Sequence, residues 1–183
     1  MSVATPQAIT AGTWQIDTVH SHVGFAVKHM VVSTFRGRFE KYEGSLVADD
    51  GSGLKIAGSV DVDSLVVKDE NLAGHLNSPD FFDSANFPQI KFASTDVSVG
   101  EDGSLEVEGE LTIKDHTHRV TARGSITGPH VDIAGNDKLG IELEAVIDRR
   151  DYGLLWNAPL PKGGFALDND VKLEVSLELV REA

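Results

Sequence analysis

The 183-residue chain contains no cysteine. No disulfide can form, so the fold does not need an oxidising compartment, and no thiol nucleophile is available. Basic residues are scarce too. Lys and Arg number 16 against 29 Asp and Glu, a net charge of −13. That balance argues against nucleic-acid binding and against attraction to anionic membrane surfaces, and it favours solubility. No apolar run approaches the ~18 residues of a membrane-spanning helix, so stable membrane insertion is not expected. Residues 1–7 lack the basic and apolar segments of a secretory signal, and the chain as written reads as cytoplasmic. The Gly-x-Ser-x-Gly elbow of hydrolases and the phosphate loop of nucleotide-binding enzymes are missing as well. These absences point away from an enzyme and from a resident cofactor.

What is present is alternation. A small, polar tail is expected over residues 1–11, followed by one domain over 12–183, long enough to bury a core without staples. Strands are predicted over residues 14–17, 23–30, 35–48 and 54–62. Further strands follow over 89–99, 105–113, 120–126, 139–147 and 171–179. Leu105, Val107, Gly109, Leu111 and Ile113 share one parity, against Glu106, Glu108, Glu110 and Thr112 on the other. Leu139, Ile141, Leu143, Ala145 and Ile147 form another such stripe. Strict alternation means one buried and one wet face of an antiparallel sheet. Phe92 and Val97 fall on opposite parities, which predicts a bulge between them. Gly128-Pro129 is expected to end its strand. About eight strands suit an up-and-down barrel or a sandwich. Glycines on apolar parities (Gly24, Gly37, Gly58, Gly109, Gly124) favour a barrel with room inside.

One segment breaks the pattern. Residues 69–88 carry Leu76, Phe81, Phe82, Phe87 and His75 among turn formers, with a short helix predicted over 70–76. An apolar insert in a strand protein must bury its rings, and the open end of a barrel is the nearest place. It either closes a ligand cavity or merely covers the core.

Candidate chemistry is sparse. His20 and His22 share a strand face at spacing two, with His29 and His75 elsewhere, and could hold a metal with a third ligand. The alternative is ordinary hydrogen-bonded or exposed histidines. His116 and His118 read as exposed beside a turn. Asp148, Arg149, Arg150 and Asp151 read as surface ion pairs. The aromatic residues, Phe165 among them, read as core, but in a closed barrel core and pocket lining are one face.

Several pieces in order resemble the YceI-like, polyisoprenoid-binding family. They are Trp14-Gln15-Ile16-Asp17 with His20-Ser21 and Val23-Gly24-Phe25, then His29-Met30 and Phe35-Arg36-Gly37-Arg38-Phe39. His75-Leu76, Ser78, Asp80-Phe81-Phe82-Asp83 and Phe87-Pro88 match its most distinctive element. Ile90-Lys91-Phe92, Gly109-Glu110-Leu111 and Ile147-Asp148-Arg149-Arg150-Asp151-Tyr152-Gly153-Leu154 follow in the expected places, so the likeness covers residues 12–181. The resemblance implies an all-β, eight-stranded antiparallel, lipocalin-like barrel with a short helical insert. It also implies a bound amphiphile with a long isoprenoid-like tail, polyprenyl or quinone-like, and a homodimer. Leu72-Ala73, Asn77 and Asp115-His116 depart from the family pattern, and the first two remove charge beside the expected mouth.

The expected function is therefore to bind, store or carry such a lipid, without catalysis. His20, His29, His75 and Asn77 are the candidates for holding its headgroup. Phe25, Phe35, Phe39, Leu76, Phe81, Phe82, Phe87, Phe92 and Trp156 are the candidates for lining its tail. A metal-dependent or acid–base enzyme built on His20, His22, His29 and His75 is the alternative.

Overall fold

A computed structural model describes residues 8–51 and 53–183. The strands are β1 (Gly12–Ile16), β2 (His22–His29), β3 (Ser33–Phe39), β4 (Tyr42–Ala48), β5 (Leu54–Asp61) and β6 (Leu65–Val66). After helix α1 (Glu70–Asn77) come β7 (Gln89–Val99), β8 (Ser104–Ile113), β9 (His116–Val131), β10 (Asp137–Asp148) and β11 (Leu167–Arg181).

These short pieces build eight walls. β1 and β2 are two halves of one wall, because both pair antiparallel with β11, through Ile16↔Leu179 and Val27↔Val171. β3 and β4 likewise form one wall, since β3 pairs with β2 and β4 with β1. The chain predicted as one strand over residues 35–48 is interrupted at Glu40-Lys41, where Glu40 N–H and Lys41 N–H turn to the carbonyl and hydroxyl of Ser64. β5 and β6 form the third wall, joined by a 3-10 turn, Val62–Ser64. β7 to β11 follow in sequence order, and β11 returns to β1 and β2. The result is a closed antiparallel up-and-down barrel with no long unpaired edge.

The predicted alternation is met where one face is dry. Leu105, Val107, Gly109, Leu111 and Ile113 all bury on β8, as do Leu139, Ile141, Leu143, Ala145 and Ile147 on β10. The register of β7 against β8 shifts between Ser94 and Asp96, within the span where the parity change predicts a bulge.

β9 corrects the expected break at Gly128-Pro129. Thr127 pairs with Gly140 and His130 with Lys138, so Gly128 and Pro129 together face Leu139. A bulge absorbs the proline's missing N–H, and the strand runs on to Val131. His116 and His118 open β9 directly after the turn at Lys114-Asp115, with His118 exposed and His116 half-buried.

The glycines also behave differently from expectation. A Cβ on Gly37 would lie 2.6 Å from the Phe25 ring, and one on Gly109 would lie 2.5 Å from the Phe92 ring. Both rings lie across the backbone of a neighbouring strand, so these glycines seat aromatic rings instead of leaving space. Gly24 and Gly58 do border the interior void.

Two clusters fill the barrel's ends. Trp14, Leu46, Leu105, Val107, Leu139, Ile141 and Leu179 close one, with Trp14 fully buried and its indole N–H donating to Thr10 O at 3.1 Å. Phe39, Leu65, Leu76, Phe81, Phe82, Ile147 and Leu154 pack at the other. Residues 1–7 of the expected tail lie outside the described residues. Ala11 belongs with the barrel, since its carbonyl accepts from Arg181 Nη2 at 2.8 Å.

Candidate functional site

Between the two clusters lies a cavity of about 600 Å³. That is mid-range for sites holding small organic ligands, ~300–1,000 Å³. Its walls are inward residues of the strands, among them Val23, Ile56, Val60, Leu111, Ile141, Leu143, Ala145 and Leu173, so nearly all of its surface is hydrocarbon and aromatic.

The insert forms part of that lining through Leu72, His75, Leu76, Phe81 and Phe82. Its helix starts where Asp69 accepts from Leu72 N–H at 2.9 Å, an N-cap that replaces a missing intrahelical bond. After α1 the chain doubles back: Phe82 N–H donates to Leu76 O at 2.9 Å and Ser84 N–H to Asn77 O at 3.0 Å. That fold-back drives Phe81 and Phe82 inward. Phe82 meets Phe25 and Phe39 at centroid distances of 6.4 and 6.2 Å. His75 stands edge-on to Phe81 at 5.1 Å and to Trp156 at 4.9 Å, and its Nε2 lies 3.0 Å from Asp80 Oδ2. The imidazole thereby ties the insert to the segment between β10 and β11.

Of the residues expected at a ligand site, Phe25, His29, Phe35 and Phe39 border the cavity from β2 and β3. His75, Leu76, Phe81 and Phe82 border it from the insert, Phe92 from β7, and Trp156 from the loop before β11. Three others do not. His20 projects from the turn after β1, its side chain 62% exposed, and pairs with Asp17 at 2.9 Å. Asn77 uses Nδ2 to donate to Ala73 O one turn back, at 3.1 Å, which holds it against its own helix. Phe87 is held by its N–H donating to Asp83 O at 2.8 Å as the chain turns into β7, outside the cavity lining.

The four histidines of the alternative reading are not brought together. Among the described residues, the one carboxylate–imidazole group with metal-ligand spacing is Asp17, His20 and Glu178. The Lys138 ammonium already sits on it, 2.9 Å from Glu178 and 3.4 Å from Asp17. Hydrogen bonding to Asp17 raises the His20 pKa above its usual value, and the same contact lowers that of Asp17. This is a small surface charge network.

One lining residue was missed by reading residues 148–151 as surface ion pairs. Arg150 does pair with Asp148 at 2.6 Å on the surface, holding the Asp148 carboxyl at about 2. Arg149 instead is 4% exposed and borders the cavity. The signal was in the sequence: 149 continues the inward parity of 139, 141, 143, 145 and 147.

A family model described as the YceI-like domain matches residues 14–179. A UPF0312 protein of Staphylococcus aureus is 33% identical over 165 residues, 88% of this chain and 94% of the relative. One from Staphylococcus epidermidis is 30% identical over 168 residues, 90% of this chain and 95% of the relative. Among solved structures, Burkholderia cenocepacia BcnA superposes with a TM-score of 0.76 at 20% identity, covering 89% of this chain and 98% of that one. A polyisoprenoid binding domain from Saccharophagus degradans gives 0.69 at 12% identity, covering 92% and 98%. At those identities the structures speak for the barrel alone, whereas the family model and the staphylococcal relatives speak for descent. The chain belongs to the YceI-like domain family.

Proposed function

We propose that the protein binds, stores or carries an amphiphile whose long isoprenoid-like tail lies along the barrel axis. The observation that carries this reading is the apolar cavity of about 600 Å³ closed at one end by the insert. At the ~30 Å³ that a water occupies in the liquid, taken as the share of one carbon, it holds roughly twenty carbons, or about four isoprene units. Each buried CH₂ contributes about 0.8 kcal/mol, so tail burial alone supplies ample gross affinity, reduced by the cost of ordering the chain. The insert would open and reclose to exchange ligand. Catalysis has no part in the proposal, nor does a resident cofactor or a nucleic-acid partner. A homodimer belongs to it on family resemblance alone.

The test is to purify the protein without detergent, extract it with organic solvent and analyse the extract by mass spectrometry. A stoichiometric polyprenyl or quinone-like species supports the carrier. A clean extract, together with no uptake of tail-bearing lipids on incubation, refutes it.

A further inference from the structure

Among the described residues Arg149 is the only buried charged side chain. It follows β10 directly, at the head of the 3-10 turn Arg149–Tyr152. Nε donates to Asp168 O at 2.8 Å, and Nη1 donates to Leu154 O at 2.6 Å and Trp156 O at 2.9 Å. These carbonyls fix the loop before β11, but they carry no full charge. No carboxylate makes a contact ion pair with it. Asp148 is taken by Arg150, and Asp168 Oδ1 accepts from Asn169 N–H at 2.7 Å. Burial lowers the Arg149 pKa, with Asp148 and Asp168 opposing from a distance, yet a guanidinium stays protonated in a protein. Nη2, with two N–H groups, finds no acceptor among the described residues. A buried cation without a carboxylate in contact is unfavourable, and here it borders an apolar cavity. The insert over residues 69–88 brings no competing lysine or arginine: its charged side chains are the carboxylates of Asp69, Glu70, Asp80 and Asp83, and His75 is engaged with Asp80.

We propose that Arg149 reads the ligand's head: its Nη2 N–H pair takes the oxygens of an anionic headgroup, a phosphate or carboxylate, while the tail runs down the barrel. This rests on the carrier reading above. A neutral alcohol or quinone head would satisfy the N–H groups and leave the charge uncompensated.

The experiment compares three probes with four-isoprene tails on the full chain: geranylgeranyl monophosphate, geranylgeraniol and the corresponding menaquinone. Wild type is expected to bind the phosphate on the order of tenfold or more tighter than the alcohol and the quinone, as a charge-assisted bond would give. Arg149→Lys keeps most of that preference, and Arg149→Met loses it while still binding the alcohol. A merely structural arginine would weaken all three probes alike. Arg149→Met also removes three carbonyl contacts, so a second measurement uses wild type only. In ¹⁵N-arginine-labelled protein, one guanidinium should shift on adding the phosphate and not on adding the alcohol. Equal affinity for the three probes, an unchanged preference in Arg149→Met, or no selective guanidinium shift overturns the assignment. Failure of every probe to bind overturns the carrier reading itself.

Discussion

Replacing Ala145 by Trp should shorten the tail that the barrel accepts. Ala145 is a buried inward residue of β10, between Leu143 and Ile147 and across from Leu173, all of which border the cavity. Trp adds about nine heavy atoms, roughly 140 Å³, because bonded ring atoms pack more closely than separate water molecules. That is about a quarter of the 600 Å³ present. The remaining space suits about three isoprene units. A four-isoprene tail would leave about five carbons unburied, an upper bound of ~4 kcal/mol at 0.8 kcal/mol per CH₂. Relaxation of the walls and protrusion of the tail will recover part of this, so a loss of ~100-fold, ~2.7 kcal/mol, is expected. A two-isoprene ligand should keep its affinity to within about threefold. Titration calorimetry with geranyl and geranylgeranyl compounds reads the ratio, and a circular dichroism melt confirms the fold. Overpacking a filled core costs ~1–3 kcal/mol, but here the ring enters existing space and the melting midpoint should fall by no more than a few degrees. If the variant folds and the long-to-short ratio matches wild type, the tail does not lie in this cavity.

Three further outcomes follow from particular contacts. Phe81→Ala should remove the ring that His75 and Trp156 pack against, costing ~3–5 kcal/mol at the insert; hydrogen exchange should accelerate over residues 70–88 more than in β8, and uniform acceleration would refute an insert that opens separately. Val31, 73% exposed at the β2–β3 turn, has φ of 65°. Val31→Gly should therefore raise unfolding stability by ~1 kcal/mol in urea, since a β-branched side chain is strained there and buries little; a loss would show that the side chain has a packing role. His20 should titrate above 6.5 by NMR and return toward it in Asp17→Asn. Its raised pKa contributes stability that is present below 6.5 and lost as pH rises through the folded value. The lowered pKa of Asp17 contributes above 3.8 and is lost on acidification, so the pair acts between those limits. A His20 midpoint unchanged by Asp17→Asn would refute the pairing.

The antiparallel sheet was legible in the chain because it has one dry face, and the period-two stripes of β8 and β10 record it directly, whereas the barrel rather than a sandwich was the expectation of the resemblance. The insert was legible for the opposite reason: Phe81, Phe82 and Leu76 sit where alternation stops, and apolar rings outside a strand pattern must be buried by something else. The short helix over residues 70–76 was legible as well, and the structure adds its N-cap, Asp69 accepting from Leu72 N–H.

The site itself was only half legible. Inward parity identified Phe25, Phe39 and Phe92, but parity does not say whether an inward ring fills a void or covers a glycine. Phe92 does both, lying over Gly109 while bordering the cavity. His20 looked like a neighbour of His75 by type. The chain places His20 beside Glu178, ten residues along β11 from the Asp168 that holds Arg149, about 33 Å at 3.3 Å per residue. Asn77 turned to its own helix because a backbone carbonyl lay within reach. Arg149 was passed over because it adjoins an acidic residue in sequence, and sequence adjacency suggests an ion pair. Whether a charge faces water or a cavity is decided by which carbonyls the closed barrel brings to it. Those carbonyls, of residues 154, 156 and 168, are up to nineteen positions away. Sequence alone determined the alternation and the presence of an insert, because those depend on local period and composition. Tertiary structure decided the void, its mouth and its buried cation, because those depend on which distant strands share an interior.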